Sequence, residues 1–184
     1  MIKLYFITLI FLSIAITFSV NYFLQTDDLL YENLILNLTH SQAQNILDIK
    51  KKWSWLIYFI IPLTLFIKIL VNSAILFIAL SLLNIQARFK QVFSIFTTAE
   101  FTFIGANLIS LIWFLFFKKT YSIVDIQNFY PLSALNLIGF KNIDPWFIYP
   151  LQVLNLFELT YWFILAYLLG KELNISMDKG FKVV

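Results

Sequence analysis

The stretch "LYFITLIFLSIAITFSVNYFL", residues 4–24, contains no charged side chain. A helix rises ~1.5 Å per residue, so 21 residues reach ~31 Å, the thickness of a bilayer's hydrocarbon core. Lys3 stands before it and Asp27 and Asp28 after it. A secretory signal has a shorter apolar centre and a small-residue cleavage site, and no clear A-x-A follows here. The stretch is expected to be a retained membrane span with its N-terminus inside.

Composition extends that reading to the whole chain. Of 184 residues, 61% are hydrophobic and 12% charged, against about 25% charged in soluble domains. Mean hydropathy is +0.84, and 21 phenylalanines exceed what one small water-soluble core can hide. The expected fold class is all-α: an integral membrane helical bundle of four, or five, transmembrane helices, forming one domain over residues 1–184. Net charge is +3 and dispersed, so nucleic acid is not an expected partner. With no cysteine, thiolate chemistry and Cys-ligated metals are excluded. Frequent Ile, Phe, Asn and Lys suggest an AT-rich bacterial genome and hence a bacterial inner membrane.

Outward from the first span, residues 25–52 form the longest polar segment, with acids early and Lys50, Lys51 and Lys52 late. Ser41 and Gln44 have capping-box spacing, and a helix from about Gln42 is expected to run into the next span. Trp53, Trp55 and Tyr58 follow as an interfacial aromatic belt would. Residues 54–84 read as one tilted helix kinked near Pro62. A hairpin turning near Lys68 would make a fifth span. "NIQARFKQVFS", residues 84–94, reads as a short interfacial helix, and a third span is expected over about 97–117. The second polar loop, 118–145, holds "NFYPLSALNLIGF", too short to span and read as interfacial or re-entrant. A last span is expected over about 148–170, with the tail beyond it in water. Positive charge does not orient the whole chain. Six basic residues (Lys3, Arg88, Lys90, Lys171, Lys179, Lys182) fall on one side, and six (Lys50, Lys51, Lys52, Lys118, Lys119, Lys141) on the other.

Polar side chains inside spans are the candidate functional residues, because each charge costs at least ~2.5–3.5 kcal/mol at a helix centre. Thr64, Lys68 and Asn72 are spaced i, i+4, i+8 and share one helix face. Heights counted from the helix ends pair Lys68 with Glu158 of the last span. Gln152 and Asn155 extend the polar edge of Glu158. Thr97, Glu100, Asn107 and Ser110 form a second stripe beside Gly105 and Ala106, small residues that permit close helix approach. Glu100, near the start of its span, is expected to meet water or Arg88. Packing glue, an ion path and a subunit or lipid-headgroup contact are the alternatives for these residues. His40, the single histidine, is at no metal-ligand spacing, and the four glycines form no phosphate-binding loop. No cofactor, metal or catalytic residue is expected. The partners expected are membrane lipids and other membrane subunits, in a hetero-complex or a homo-oligomer.

Three stretches carry a family resemblance. They are "LVNSAILFIALSLLNIQARFKQVFSIFTTAEF" (70–101, with Phe-Lys-Gln at 89–91), "YPLSALNLIG" (130–139) and "LQVLNLFELTYWFILAYLLGK" (151–171). Together they resemble the Yip1 family of small polytopic membrane proteins. The chain departs from that pattern in "NIQAR", where paired glycines are common, and in Glu158, where a small polar residue is common. The resemblance implies a helical, non-enzymatic integral membrane protein. Eukaryotic members act in membrane traffic and bind small GTPases. The expectation is therefore a scaffold or accessory subunit of a membrane complex, with a small transport component using the Lys68/Glu158 stripe as the alternative.

Overall fold

The structure, a computed structural model, describes residues 2–140 and 143–184. Lys141, counted among the basic residues above, lies outside them. The described residues are helical, and their one β-type contact is an isolated bridge between Ser133 and Asn155.

The opening stretch forms α1, Ile2–Phe23. The polar segment then holds a short helix that no sequence signal announced, α2, Thr26–Leu34. Helix α3, His40–Trp53, starts two residues earlier than expected. Its cap is Thr39, whose hydroxyl accepts from the Gln42 N–H at 3.4 Å, while the Gln42 side chain accepts from the Thr39 N–H at 3.1 Å. Gln44, expected in a box with Ser41, instead donates to Asp48. As expected, α3 runs onward, through a 3₁₀ turn at Ser54–Leu56 into α4, Ile57–Leu82. Helix α4 is unbroken at Lys68, so the hairpin that would add a fifth span does not form. Nothing between Leu63 and Val71 supplies the Gly, Pro, Asn or Asp a tight turn requires.

Residues 85–88 belong to no helix, Arg88 is extended, and α5 begins at Phe89 (Phe89–Ala99). It passes through Glu100 into α6, Phe101–Ile112, and a π-helical turn at Trp113–Phe117. The expected interfacial helix is thus the first part of the third long helix.

Two short helices follow, α7 at Ile123–Asn128 and α8 at Ala134–Ile138. The span expected over 148–170 is two helices, α9, Pro145–Val153, and α10, Leu156–Leu173. The break is held by local bonds and by a distant one. The Asn155 side-chain amide donates to the carbonyls of Gln152 and Val153 at 2.8 and 3.0 Å, closing off α9. The Leu154 carbonyl accepts from the Ala134 N–H at 2.8 Å. The tail, expected in water, forms α11, Met177–Val183, packed on α10. Phe163 and Phe181 meet edge to face there, with ring centroids 4.9 Å apart.

Among the described residues, three helices are long and apolar enough to cross a membrane: Lys3–Phe23, His40–Leu82 and Phe89–Phe117. Only 11%, 22% and 28% of their apolar windows are buried within the protein. The rest faces outward, as for side chains whose solvent is lipid. These features are compatible with an integral membrane protein.

By contacts, the chain forms two compact units. Unit 1 comprises Met1–Leu12, Pro62–Gly105 and Leu156–Val184. Its core includes Leu9, Ile69, Leu80, Val92, Ala99 and Leu169. Unit 2 comprises Ser13–Ile61 and Ala106–Asn155. It contains a cluster of Leu24, Leu111 and Phe114 packed by Tyr121, Ile126 and Phe129.

Unit 2 also carries a well-defined polar clamp. The Asp125 carboxylate accepts from the Ser122 N–H and hydroxyl, at 2.9 and 2.8 Å, and from Lys118 at 2.8 Å. Burial pushes its pKa up. The bonds from Lys118 and Ser122 and the lysine charge outweigh this and hold it at about 2, against an ordinary 3.8. The carboxylate is therefore favoured in the folded state. Its contribution is full above pH 3.8 and is lost as pH falls through about 2. Solvent access reduces the effect, and Asp125→Asn is expected to cost on the order of 1 kcal/mol at neutral pH. Thermal unfolding across pH tests this, since the gap between variant and parent should close toward pH 2. A gap independent of pH would show that the charge is not what matters.

Candidate functional site

The site lies in unit 1, where α4, the α5–α6 junction and α10 meet around Glu100. Lys68 on α4 gives its ammonium to Oε2 of Glu100 at 2.9 Å. Tyr161 on α10 donates its hydroxyl to Oε1 at 3.3 Å. Both carboxylate oxygens are thus held by side chains from two other helices. The carboxylate of Glu100 is 3% exposed, whereas the Lys68 side chain is 46% exposed. The ammonium also lies 4.3 Å from the centroid of the Phe103 ring. A cation on a ring face gains ~0.5–2 kcal/mol. That ring sits 4.9 Å from the ring of Tyr161, so the aromatic pair forms one wall of the ion pair.

The sequence pairs Lys68 with Glu158; the structure puts the Glu100 carboxylate on its ammonium. Glu158, one turn before Tyr161 on α10, interacts electrostatically with both Lys68 and Glu100. The expectation that Glu100 meets water or Arg88 is overturned. Its carboxylate is buried, and Arg88 instead donates to Gln91 from its backbone N–H at 3.0 Å and its Nε at 3.3 Å.

The two polar stripes are distributed differently than expected. Asn72, half-buried one turn beyond Lys68, lines a cleft shared with α10. Gln152 and Asn155 belong to unit 2, while Glu158 belongs to unit 1. Gln152 donates to the Asn128 carbonyl at 3.3 Å, and Asn155 closes α9. In the other stripe, Thr97 is buried and donates to the Phe93 carbonyl. Ser110 donates to the Ala106 carbonyl, and Asn107 is exposed. A Cβ added at Gly105 would meet nothing within 4 Å, so no close helix approach occurs there. His40 accepts or donates at Nδ1 with the Tyr31 hydroxyl at 3.0 Å. Among the described residues no group of three His, Cys, Asp or Glu could hold a metal.

Sequence reasoning missed Tyr161 and Phe103. Tyr161 stands three residues after Glu158, on the same helix face, and that spacing was the available signal. In a chain with nine tyrosines, a hydroxyl that reaches a carboxylate looks the same as one that anchors at a headgroup.

Chemically, the arrangement suits charge pairing inside an apolar helical assembly. A carboxylate that accepts from an ammonium and a phenol ties the two donor helices to its own. No family model, curated protein or solved structure matches this chain.

Proposed function

We propose that this chain is a non-enzymatic integral membrane protein, a bacterial inner-membrane relative of the Yip1 family. On this reading it is a scaffold or accessory subunit of a larger membrane complex. It has four spans with its N-terminus inside, the fourth being the one read over about 148–170. The observation that supports it is the double engagement of Glu100 by Lys68 and Tyr161. A carboxylate with both oxygens taken ties three helices together, as polar side chains do when they act as interhelical glue. The outer apolar faces are then free for lipid and for neighbouring subunits.

Purification from native membranes in mild detergent tests the reading, which expects a larger membrane partner at fixed stoichiometry. The rival reading is a transport component, motivated by the cleft beside Tyr161. If the purified chain alone gave proteoliposomes a solute flux that vanished in Lys68→Met, transport would replace the scaffold reading.

A further inference from the structure

Unit 1 contains a cleft of about 280 Å³. Its lining includes Asn72, Leu76 and Ala79 of α4, Phe96 of α5, and Tyr161 and Leu165 of α10. These positions share a pattern. On α4 they follow Lys68, on α10 they follow Glu158, and on α5 Phe96 precedes Glu100. All three helices therefore put the cleft on one side of the ion pair. It is the side where α4 ends at Leu82, α5 begins at Phe89 and α10 ends at Leu173. Arg88, Lys90 and Lys171 belong to those same helix ends.

We propose that this cleft is a water-filled vestibule, leading water from that end of unit 1 to the Tyr161 hydroxyl on Glu100. Two observations carry the inference. Tyr161 belongs both to the cleft wall and to the ion-pair network, so the cleft reaches the buried carboxylate through one side chain. Asn72 adds a second hydrogen-bonding group on the α4 wall, and water in a protein needs 2–4 such partners or other waters. The inference concerns access to the network and holds for a scaffold or a transport component alike.

The absence of native cysteine makes the test clean. Single-cysteine variants Ala79→Cys and Asn72→Cys are spin-labelled in proteoliposomes, with Ile78→Cys as an outward-facing reference and Lys171→Cys as a water reference. Relaxation by a water-soluble nickel chelate is compared with relaxation by oxygen. The expected result is severalfold greater chelate accessibility at positions 72 and 79 than at 78, approaching that at 171. Oxygen-dominated relaxation at 72 and 79 would mean that a lipid chain fills the cleft, and would overturn the proposal. Relaxation by neither would mean a sealed cleft, and would overturn it too. Each variant's near-UV circular dichroism is matched to the parent first, so that misfolding is not read as accessibility.

Discussion

Replacing Lys68 by Met is expected to destabilise the protein by about 2–3 kcal/mol, and adding Glu100→Gln to recover most of that loss. The reasoning rests on an asymmetry. A buried ion pair is a weak net stabiliser, but removing one partner strands the other charge, at a typical cost of ~3–5 kcal/mol. Here the stranded group is a carboxylate 3% exposed, left with the Tyr161 hydroxyl alone. The lower figure reflects the half-exposed lysine, whose removal opens a path for water. In the double variant the neutral Gln side chain has no charge to strand and still accepts from Tyr161. The readout is the unfolding midpoint by tryptophan fluorescence in nanodiscs, where ~1 kcal/mol corresponds to roughly 2–4 °C at this chain length. A double variant as unstable as the single one would refute the buried-charge account. It would leave shape, not electrostatics, as the role of Lys68.

The second large effect is expected at the C-terminal hairpin, from Gly180→Val. A Cβ built at Gly180 lies 2.7 Å from the backbone oxygen of Ala166 and 3.3 Å from its Cα. Those are backbone atoms of α10, so no side chain can move aside. Helix α11 must shift outward, losing the Phe163–Phe181 contact. Forced overpacking of this kind costs ~1–3 kcal/mol. The damage should be local. Limited proteolysis should cut near Ser176 in the variant before any loss of the bundle. Gly105→Ala is the internal control. Its added Cβ meets nothing, and in a helix interior Ala exceeds Gly by ~1 kcal/mol, so that variant should hold or gain stability. Equal damage from both changes would mean that helix contact is not what selects glycine at 180.

The apolar helices were legible because length and hydropathy alone decide them. Residues 4–24 and the run of α3 into α4 needed no tertiary knowledge. Glu100 was hard to read as a partner of Lys68 for a geometric reason. The third span was expected from Thr97, which put Glu100 at its mouth. The helix begins at Phe89, so Glu100 sits ~16 Å inside it. Lys68 lies ~21 Å from the same end of unit 1, counted back from Leu82, and a lysine stem covers the difference. Phe89 as a start was hard to read because "RFKQVF" has no Ser, Thr, Asp or Asn to cap a helix. The break before α10 was hidden for the opposite reason. Asn155 is polar enough to close a helix, but its Ser133 partner is 22 positions away and invisible to any local window. Helix α11 is short and polar, and it docks through two tertiary contacts, Gly180 on Ala166 and Phe181 on Phe163, that no local window shows.

The interruption at Leu154–Asn155 bears on how the chain enters a membrane during synthesis. An insertion machine weighs each emerging segment by its apolar length. Helix α9 has nine residues, and α10 has 18 with Glu158, Lys171 and Glu172 among them. Neither is a strong insertion signal alone. Lys68 and Glu100 leave the ribosome before Tyr161 does, so the carboxylate and its ammonium partner are made on earlier helices than the phenol that completes the network.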